Sequence, residues 1–300
     1  MKRNKHIPML ALSAALLFFG LTMMFTSCHK ESPAGGTAKV TVTFNDFTIT
    51  TGDYDDGAPT KDAVDDYANV KAMTLAFFDA QGNAVYNTTQ LRADNTTYTT
   101  FGQFSLSLPL GSYTMVALGY GSEVPITLNS ATSAVFTSDR CRETFVASQT
   151  VNVTNTNPLT LNAELSRVVS KVHVISTDTR RSGVDSVRVT FAAGGKGVNP
   201  QTGLATSNNG LSNTVGITTD VGAVSNTISY LFLGSDQQTM NLTVETIKTN
   251  GTVYSSRTVE DVTLQRNKIT VLRGPLYSNA SGAGFTVSTG WLGDTTFVDF

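Results

Sequence analysis

Apolar and polar side chains alternate with a period of two residues along most of this chain. Near the start of the alternating part, Val40 and Val42 are interleaved with Thr41 and Thr43, and similar runs recur throughout the sequence. This period is typical of a strand with one buried face, because successive side chains of a strand point to opposite sides. No comparable helical period follows residue 27, which argues against parallel α/β folds. The chain is therefore predicted to be all-β.

The alternating runs form two groups separated by a central segment. They lie at 38–49, 72–79, 83–90, 101–108, 112–119, 126–136 and 144–153, and then at 187–191, 226–233, 240–248, 252–259 and 262–272. Residues 159–176 between them are a nearly continuous β signal whose alternation changes parity near Ala163. A strand that changes its buried face can end one sandwich and begin another. We therefore place a boundary near Ser166 and predict two tandem antiparallel β-sandwich domains, at 38–165 and 166–300.

Residues 1–27 have the features of a secretory signal that ends at a cysteine. A cationic start is followed by an apolar segment at 8–25 and then by Thr26, Ser27 and Cys28. Small residues, rather than the cations that flank a membrane-spanning helix, follow the apolar segment. We predict cleavage between Ser27 and Cys28, which leaves 28–37 as a tether and lets Cys28 carry acyl chains such as palmitate. The alternative is an ordinary signal peptide with a cysteine nearby by chance.

The residues around Cys28 resemble the lipobox of bacterial lipoproteins, with Phe25 where that family prefers an aliphatic residue. His29, Lys30 and Glu31 follow the cysteine. They resemble the signal by which Bacteroidetes-type bacteria move lipoproteins to the cell surface. These resemblances imply a lipid-anchored protein of the outer membrane that is displayed at the cell surface.

Charge and the supply of reactive side chains argue against several functions. The chain has 21 basic and 23 acidic residues, a net charge of −2 that does not indicate a nucleic-acid partner. Cys141 lies between two arginines that would lower its pKa, but a cysteine nucleophile also needs a histidine. Outside the signal segment and the tether only His173 is available, and it shares parity with Lys171, which predicts a surface position. We predict no enzyme and no cofactor; paired carboxylates for glycoside hydrolysis are the remaining alternative.

The segment at 50–68 contains six aspartates and a single lysine, Lys61. Its DYDDG fragment is similar to part of a calcium loop but lacks the regular carboxylate spacing and the distal glutamate of an EF-hand. A solvated acidic loop is the preferred interpretation, and a calcium site is the alternative.

Four motifs, in order along the chain, resemble fimbrial subunits of Bacteroidetes. They are LPLGSYTMVALGYG at 108–121, LTLNAELSRVVSKVHV at 159–174, TVEDVTLQRNKITVLRGPLY at 258–277 and GFTVSTGWLGDTTFVDF at 284–300. The resemblance implies two transthyretin-like β-sandwich domains in a structural subunit of a fimbria. It also implies that other fimbrial subunits are partners and that they join by donor-strand exchange, in which an extended strand of one subunit fills a groove in its neighbour.

The distribution of arginine indicates which kind of subunit this is. In stalk subunits of this family an Arg-specific protease removes the first strand, yet no arginine occurs between Arg3 and Arg92. An uncut first strand keeps the lipid joined to the folded body. We therefore predict a basal anchor subunit, similar to the anchors of the major and minor fimbriae. The alternatives are a stalk or tip subunit, which cleavage at Lys61 would favour, and a surface glycan-binding lipoprotein.

Overall fold

The structure is a computed structural model that describes residues 35–49, 60–62, 64–137, 140–278 and 284–290. Nearly all regular structure in these ranges is β-strand, which confirms the predicted all-β class. The strands up to the centre of the chain are β1 (Thr37–Ile49), β2 (Thr60–Asp62), β3 (Ala72–Phe78), β4 (Ala84–Leu91), β5 (Gln103–Pro109), β6 (Gly111–Tyr120), β7 (Thr127–Ser130), β8 (Ser133–Val135), β9 (Thr144–Val153) and β10 (Leu159–Arg167). The later strands are β11 (Val169–Thr179), β12 (Val184–Phe191), β13 (Gly197–Val198), β14 (Leu211–Gly216), β15 (Val224–Phe232), β16 (Gln237–Lys248), β17 (Val253–Gln265), β18 (Ile269–Gly274) and β19 (Thr286–Gly290).

Eight strands of the first half form one sheet that folds into two layers. Its order is β2-β1-β10-β9-β6-β3-β4, and β5 also pairs with β1. The register joins β10 to β9 only at Ser166–Val146 and Arg167–Phe145. The sheet therefore parts at this point into a layer of β2, β5, β1 and β10 and a layer of β9, β6, β3 and β4. Apolar side chains of both layers meet in one core, as expected for a β-sandwich.

Strand β1 lies inside its layer and pairs along both of its edges. It runs parallel to β10 on one side, and antiparallel to β5 and then to β2 on the other. Its inward side chains, Ala38, Val40, Val42 and Phe44, are 0 to 3% exposed. Because full burial of a Val or Phe side chain contributes about 1.5–3 kcal/mol, β1 is a major part of the first core.

The second half has two four-stranded sheets around a core of its own. Their orders are β15-β11-β18-β19 and β14-β12-β16-β17, and the core between them includes Val174, Val189 and Leu242. Strand β11 runs antiparallel to β15 and parallel to β18, which repeats the environment of β1. The sandwiches predicted as antiparallel thus each contain one parallel pair among the described strands. Alternation did not reveal this because it reports which face is buried and not the direction of the neighbour.

A third apolar cluster connects the two halves. The β7–β8 hairpin lies over the outer face of β3 and β6, and β13 from the second half pairs with β8. In this cluster the ring of Phe136 stacks on Phe232 with centroids 6.2 Å apart and meets Tyr120 edge-on at 5.9 Å. The two halves therefore share buried surface, and their division into domains near Ser166 stays a prediction.

The hairpin between β5 and β6 explains the residue pattern of the LPLGSY motif. The Tyr113 hydroxyl donates a hydrogen bond of 2.9 Å to the Pro109 carbonyl, which ties the second strand back to the end of the first. A Cβ at Gly111 would lie 3.2 Å from the Tyr113 hydroxyl oxygen, so glycine leaves room for this contact.

The strand predicted at 262–272 is divided in the structure, because its first residues continue β17 and its last residues belong to β18. The runs at 252–259 and 262–272 were separated because alternation breaks at Glu260 and Asp261, but β17 continues through both residues. The register shifts there, Asp261 has a φ of 53°, and its amide donates to the Asn241 side chain. The break in the pattern is a β-bulge. The chain instead turns at Asn267, where φ is 58°.

Truncating Phe104 should destabilise the first sandwich strongly. Its side chain is 3% exposed and packs edge-on against Phe44 with ring centroids 6.2 Å apart. We expect Phe104→Ala to lower the free energy of unfolding by about 3–5 kcal/mol in urea titrations. The control is Ser105→Ala on the exposed face of the same strand, with an expected change within about 0.5 kcal/mol. Equal effects of the two substitutions would contradict the assigned faces of β5.

Candidate functional site

The predicted processing site, Ser27 and Cys28, lies outside the described residues. The described residues begin at Gly35, just before β1, so β1 is the first described strand after the predicted tether. No helix in the described ranges combines the length and the apolar composition needed to span a bilayer.

The candidate functional site is β1 together with its neighbours β5 and β10. Val42, for example, lies opposite Phe104 on β5 and opposite Leu161 on β10. Removal of β1 would expose main-chain donors and acceptors on two strands at once, and it would open apolar pockets at every second residue. These are the features by which a sheet accepts an added strand. With β1 in place, the site is filled by the chain itself.

Arg92, the first arginine after the signal segment, holds the residues that follow the acidic segment. Its guanidinium donates to the carbonyls of Val64 at 2.8 Å, Asp65 at 2.9 Å and Val70 at 2.7 Å. The same group lies 4.2 Å from the centroid of the Phe101 ring. These bonds add contacts to the carbonyls of the irregular backbone and hold it in place. Arg92 therefore has a structural role at the end of β4.

The acidic segment is more ordered, where it is described, than the predicted loop. Thr60–Asp62 pairs with the end of β1, and Val64–Asp66 forms a 3-10 turn in which the Val64 side chain is buried. Within the described ranges, no group of three or more His, Cys, Asp or Glu side chains is placed to hold a metal ion. The strand β2 was missed because three residues are too few to show alternation.

A buried ion pair lies at the junction of the two halves. Arg167 Nε is 2.9 Å from Glu143 Oε1, and the two side chains are 0% and 8% exposed. The Tyr67 hydroxyl donates to both Glu143 oxygens, at 3.2 and 3.3 Å, while Arg167 donates to Asn267 Oδ1 at 3.3 Å and lies over the Phe145 ring. Burial, reinforced by the Glu143 charge, raises the pKa of Tyr67. The network joins the end of β10 to the turn between β17 and β18 and holds these two segments in one relative position.

The structure does not combine Cys141 and His173 into a reactive pair. The Cys141 side chain is 1% exposed, and burial raises the pKa of its thiol despite the neighbouring Arg142. Its amide donates to the Asn213 side chain at 3.3 Å. His173 lies on the outer face of β11, half-buried, and burial lowers its pKa. The described hydrogen bonds connect neither residue to the other.

The sequence did not predict the structural roles of Arg92, Glu143 and Arg167. Their partners are far away in the sequence, and the local pattern around each resembles an ordinary surface position. One signal was present: Arg167 directly follows Ser166, near which the sequence predicts a boundary.

Breaking the Arg167–Glu143 pair on one side should cost more stability than removing both charges. Either single substitution leaves the other charge buried without a partner, so its desolvation penalty is no longer offset. We therefore expect Glu143→Gln or Arg167→Met to lower the free energy of unfolding by about 3–5 kcal/mol. The double variant should cost less than the sum of the two changes. Asp236→Asn, in an exposed pair with Arg266, is the control with an expected loss of about 0–1 kcal/mol in the same urea titrations. Strict additivity would show that the buried pair is not coupled.

The Cys141 thiol should be protected from alkylation in the folded protein. Iodoacetamide reacts with the exposed thiolate, and burial of Cys141 disfavours both exposure and ionisation. We expect labelling, followed by mass spectrometry, to be slow in buffer and rapid in concentrated urea. Labelling at the same rate under both conditions would show a reactive surface cysteine.

The chain is similar to solved structures of bacterial surface proteins at low sequence identity. A candidate adhesin from Bacteroides ovatus matches with a TM-score of 0.48 and 12% identity over 85% of this chain and 93% of the other. The fimbrial anchor protein Mfa2 from Porphyromonas gingivalis matches with a TM-score of 0.46 and 13% identity over 85% and 98%. Its tip fimbrial protein Mfa3, with a C-terminal truncation, matches with a TM-score of 0.39 and 11% identity over 85% and 99%. No curated protein sequence matches the chain.

One protein-family model matches this sequence. Its description is a family of unknown function, DUF6562, and the match covers residues 124–298. The matched region runs from before β7 to beyond β19 and so includes the second sandwich and the part of the third apolar cluster that lies after β6. The match covers more than half of the 300 residues. The chain therefore belongs to the DUF6562 family.

Proposed function

We propose that this chain is a fimbrial subunit lipoprotein that anchors a fimbria at the outer membrane through acyl chains on Cys28. The observation that carries the proposal is the position of β1. The first described strand after the predicted tether is also a core strand, paired along both edges and closed over by apolar side chains. A lipid on Cys28 would thus be joined covalently to the folded body.

The distribution of arginine supports an anchor over a stalk subunit. No arginine lies between Arg3 and Arg92, and the Arg92 side chain is 23% exposed and bonded to backbone carbonyls. An Arg-specific protease would therefore find no open site before β5. A stalk or tip subunit remains the alternative; a cut at Lys61 would support it because β1 would then be released.

The proposal also includes the location, the domains and the partner of the protein. The protein is displayed at the cell surface, its domains are 38–165 and 166–300, and its function is structural, not catalytic. Its partner is the first stalk subunit, joined by strand exchange, in which main-chain hydrogen bonds supply affinity and alternate side-chain pockets supply specificity.

Loss of Cys28 should release both the subunit and its fimbria from the cell. We expect Cys28→Ser, expressed in the native host, to release the protein and the fibres into the culture medium, because the thiol to which acyl chains would be attached is absent. Cys141→Ser is the matched control, since it removes the other cysteine and should leave both at the cell. Immunoblots of membrane and medium fractions provide the measurement.

Mass spectrometry of the membrane-extracted protein distinguishes the anchor from its alternatives. An acylated peptide that begins at Cys28, in a chain continuous through Lys61, is expected. A new N-terminus between Thr50 and Arg92, or fimbriae that stay attached in Cys28→Ser cells, would refute the anchor role.

A further inference from the structure

A groove of about 670 Å³ lies beside the outer edges of β4 and β5. We name it the β4–β5 groove; Tyr86, Thr88, Asp94, Tyr98 and Ser105 are among its lining residues. Its volume is within the range of about 300–1,000 Å³ that is typical of small-ligand sites.

The Gln90 side chain connects the two edges of the groove. Its Nε2 donates to the Gln103 carbonyl at 2.7 Å, and its Oε1 accepts from the Gly102 amide at 2.8 Å. Gln90 is 6% exposed, so this bridge is a built part of the fold. It fixes the spacing between β4 and β5 next to the groove.

The chemistry of the lining is polar and nearly uncharged. Thr41, Thr88 and Ser105 line the groove, and the hydroxyl group of each lacks a hydrogen-bond partner among the residues that the structure describes. Leu91 and Phe104 are the apolar lining residues, and the lining includes no Lys, Arg or His. An anionic ligand would find no counter-charge here, and an aliphatic ligand would find little apolar surface.

Asp94 supplies the one carboxylate among the described residues that line the β4–β5 groove. Its Oδ1 accepts bonds from the Thr96 hydroxyl at 2.6 Å and amide at 3.3 Å, which hold the pKa of Asp94 below its usual value. Its Oδ2 has no partner in the described part of the chain. A fixed carboxylate with an open oxygen is an acceptor for hydroxyl donors of a ligand.

Two half-buried tyrosines give the groove fixed aromatic surfaces. The Tyr98 hydroxyl donates to the Leu91 carbonyl at 2.9 Å, and its ring packs on Phe101 with centroids 5.7 Å apart. The Tyr86 ring packs edge-on against Phe77 at 6.3 Å. Rings held in this way offer apolar faces at small cost in conformational entropy, and the Tyr86 hydroxyl adds a donor.

We propose that the β4–β5 groove binds a segment of a neutral glycan. A polyhydroxylated, uncharged chain uses the threonine and serine hydroxyls, the open oxygen of Asp94 and the faces of Tyr86 and Tyr98, and it needs no cation. This binding function is separate from the anchoring role and does not depend on it.

Calorimetric titration of the full chain in a detergent without sugar head groups tests the proposal. The probes are maltohexaose, cellohexaose and mannohexaose, with a heparin-derived hexasaccharide as the charged comparison. We expect at least one neutral hexasaccharide to bind and the heparin fragment not to bind. Asp94→Asn keeps the turn with Thr96, and Tyr86→Ala removes a ring; each should weaken binding about tenfold.

The matched control is Asp220→Asn, which removes an exposed carboxylate from the second half and should leave affinity unchanged. The proposal is overturned if none of the three neutral probes binds, if the heparin fragment binds as tightly, or if Asp94→Asn and Asp220→Asn have the same effect. It is also overturned if an extended Val/Thr decapeptide displaces the bound sugar and binds more tightly, because the groove would then be a strand-pairing edge.

Discussion

Main-chain pairing along both edges of β1 is the interaction on which the first sandwich depends. The strand lies between a parallel partner and two antiparallel partners, and its inward side chains from Ala38 to Phe44 are part of the core on which the opposite layer packs. In the second half β11 has the same kind of neighbours. The two strands differ in their chain connections: β11 continues from β10 across Val168, whereas β1 is connected to the other described strands only through its C-terminal end. Of the two equivalent strands, β1 alone could be exchanged without cutting the chain between the halves.

The contact between the halves combines two kinds of interaction. The apolar cluster around Phe136 stabilises the contact through buried apolar area, which imposes no direction on its members. The hydrogen bonds and the ion pair of the Arg167–Glu143 network are directional. A buried ion pair adds little net stability but penalises any arrangement that separates its members. Together these interactions favour one orientation of the segments that meet at the end of β10.

Much of the fold could be predicted from the sequence because burial of one sheet face imposes alternation on each strand separately. The β9 run was located to the residue, but the change of buried face in the central segment lies between Arg167 and Val168, where β10 ends, and not near Ala163 as predicted. Pairing partners could not be predicted in this way: the parallel neighbours of β1 and β11, the bulge at Asp261 and the partners of Arg92 all depend on residues remote in the sequence. The candidate site was therefore predicted as a strand, but its central position in the sheet required the structure.

The direction in which β1 enters the sheet has a mechanical consequence. Its N-terminal end adjoins the predicted tether, and its ladders with β5 and β10 run along the same axis as the strand. A pull applied at that end loads these hydrogen bonds in shear, so that they share the force and must fail together. A strand pulled sideways from a sheet edge would instead unzip one bond at a time. The first sandwich is thus suited to resist tension applied through the N-terminal end of β1.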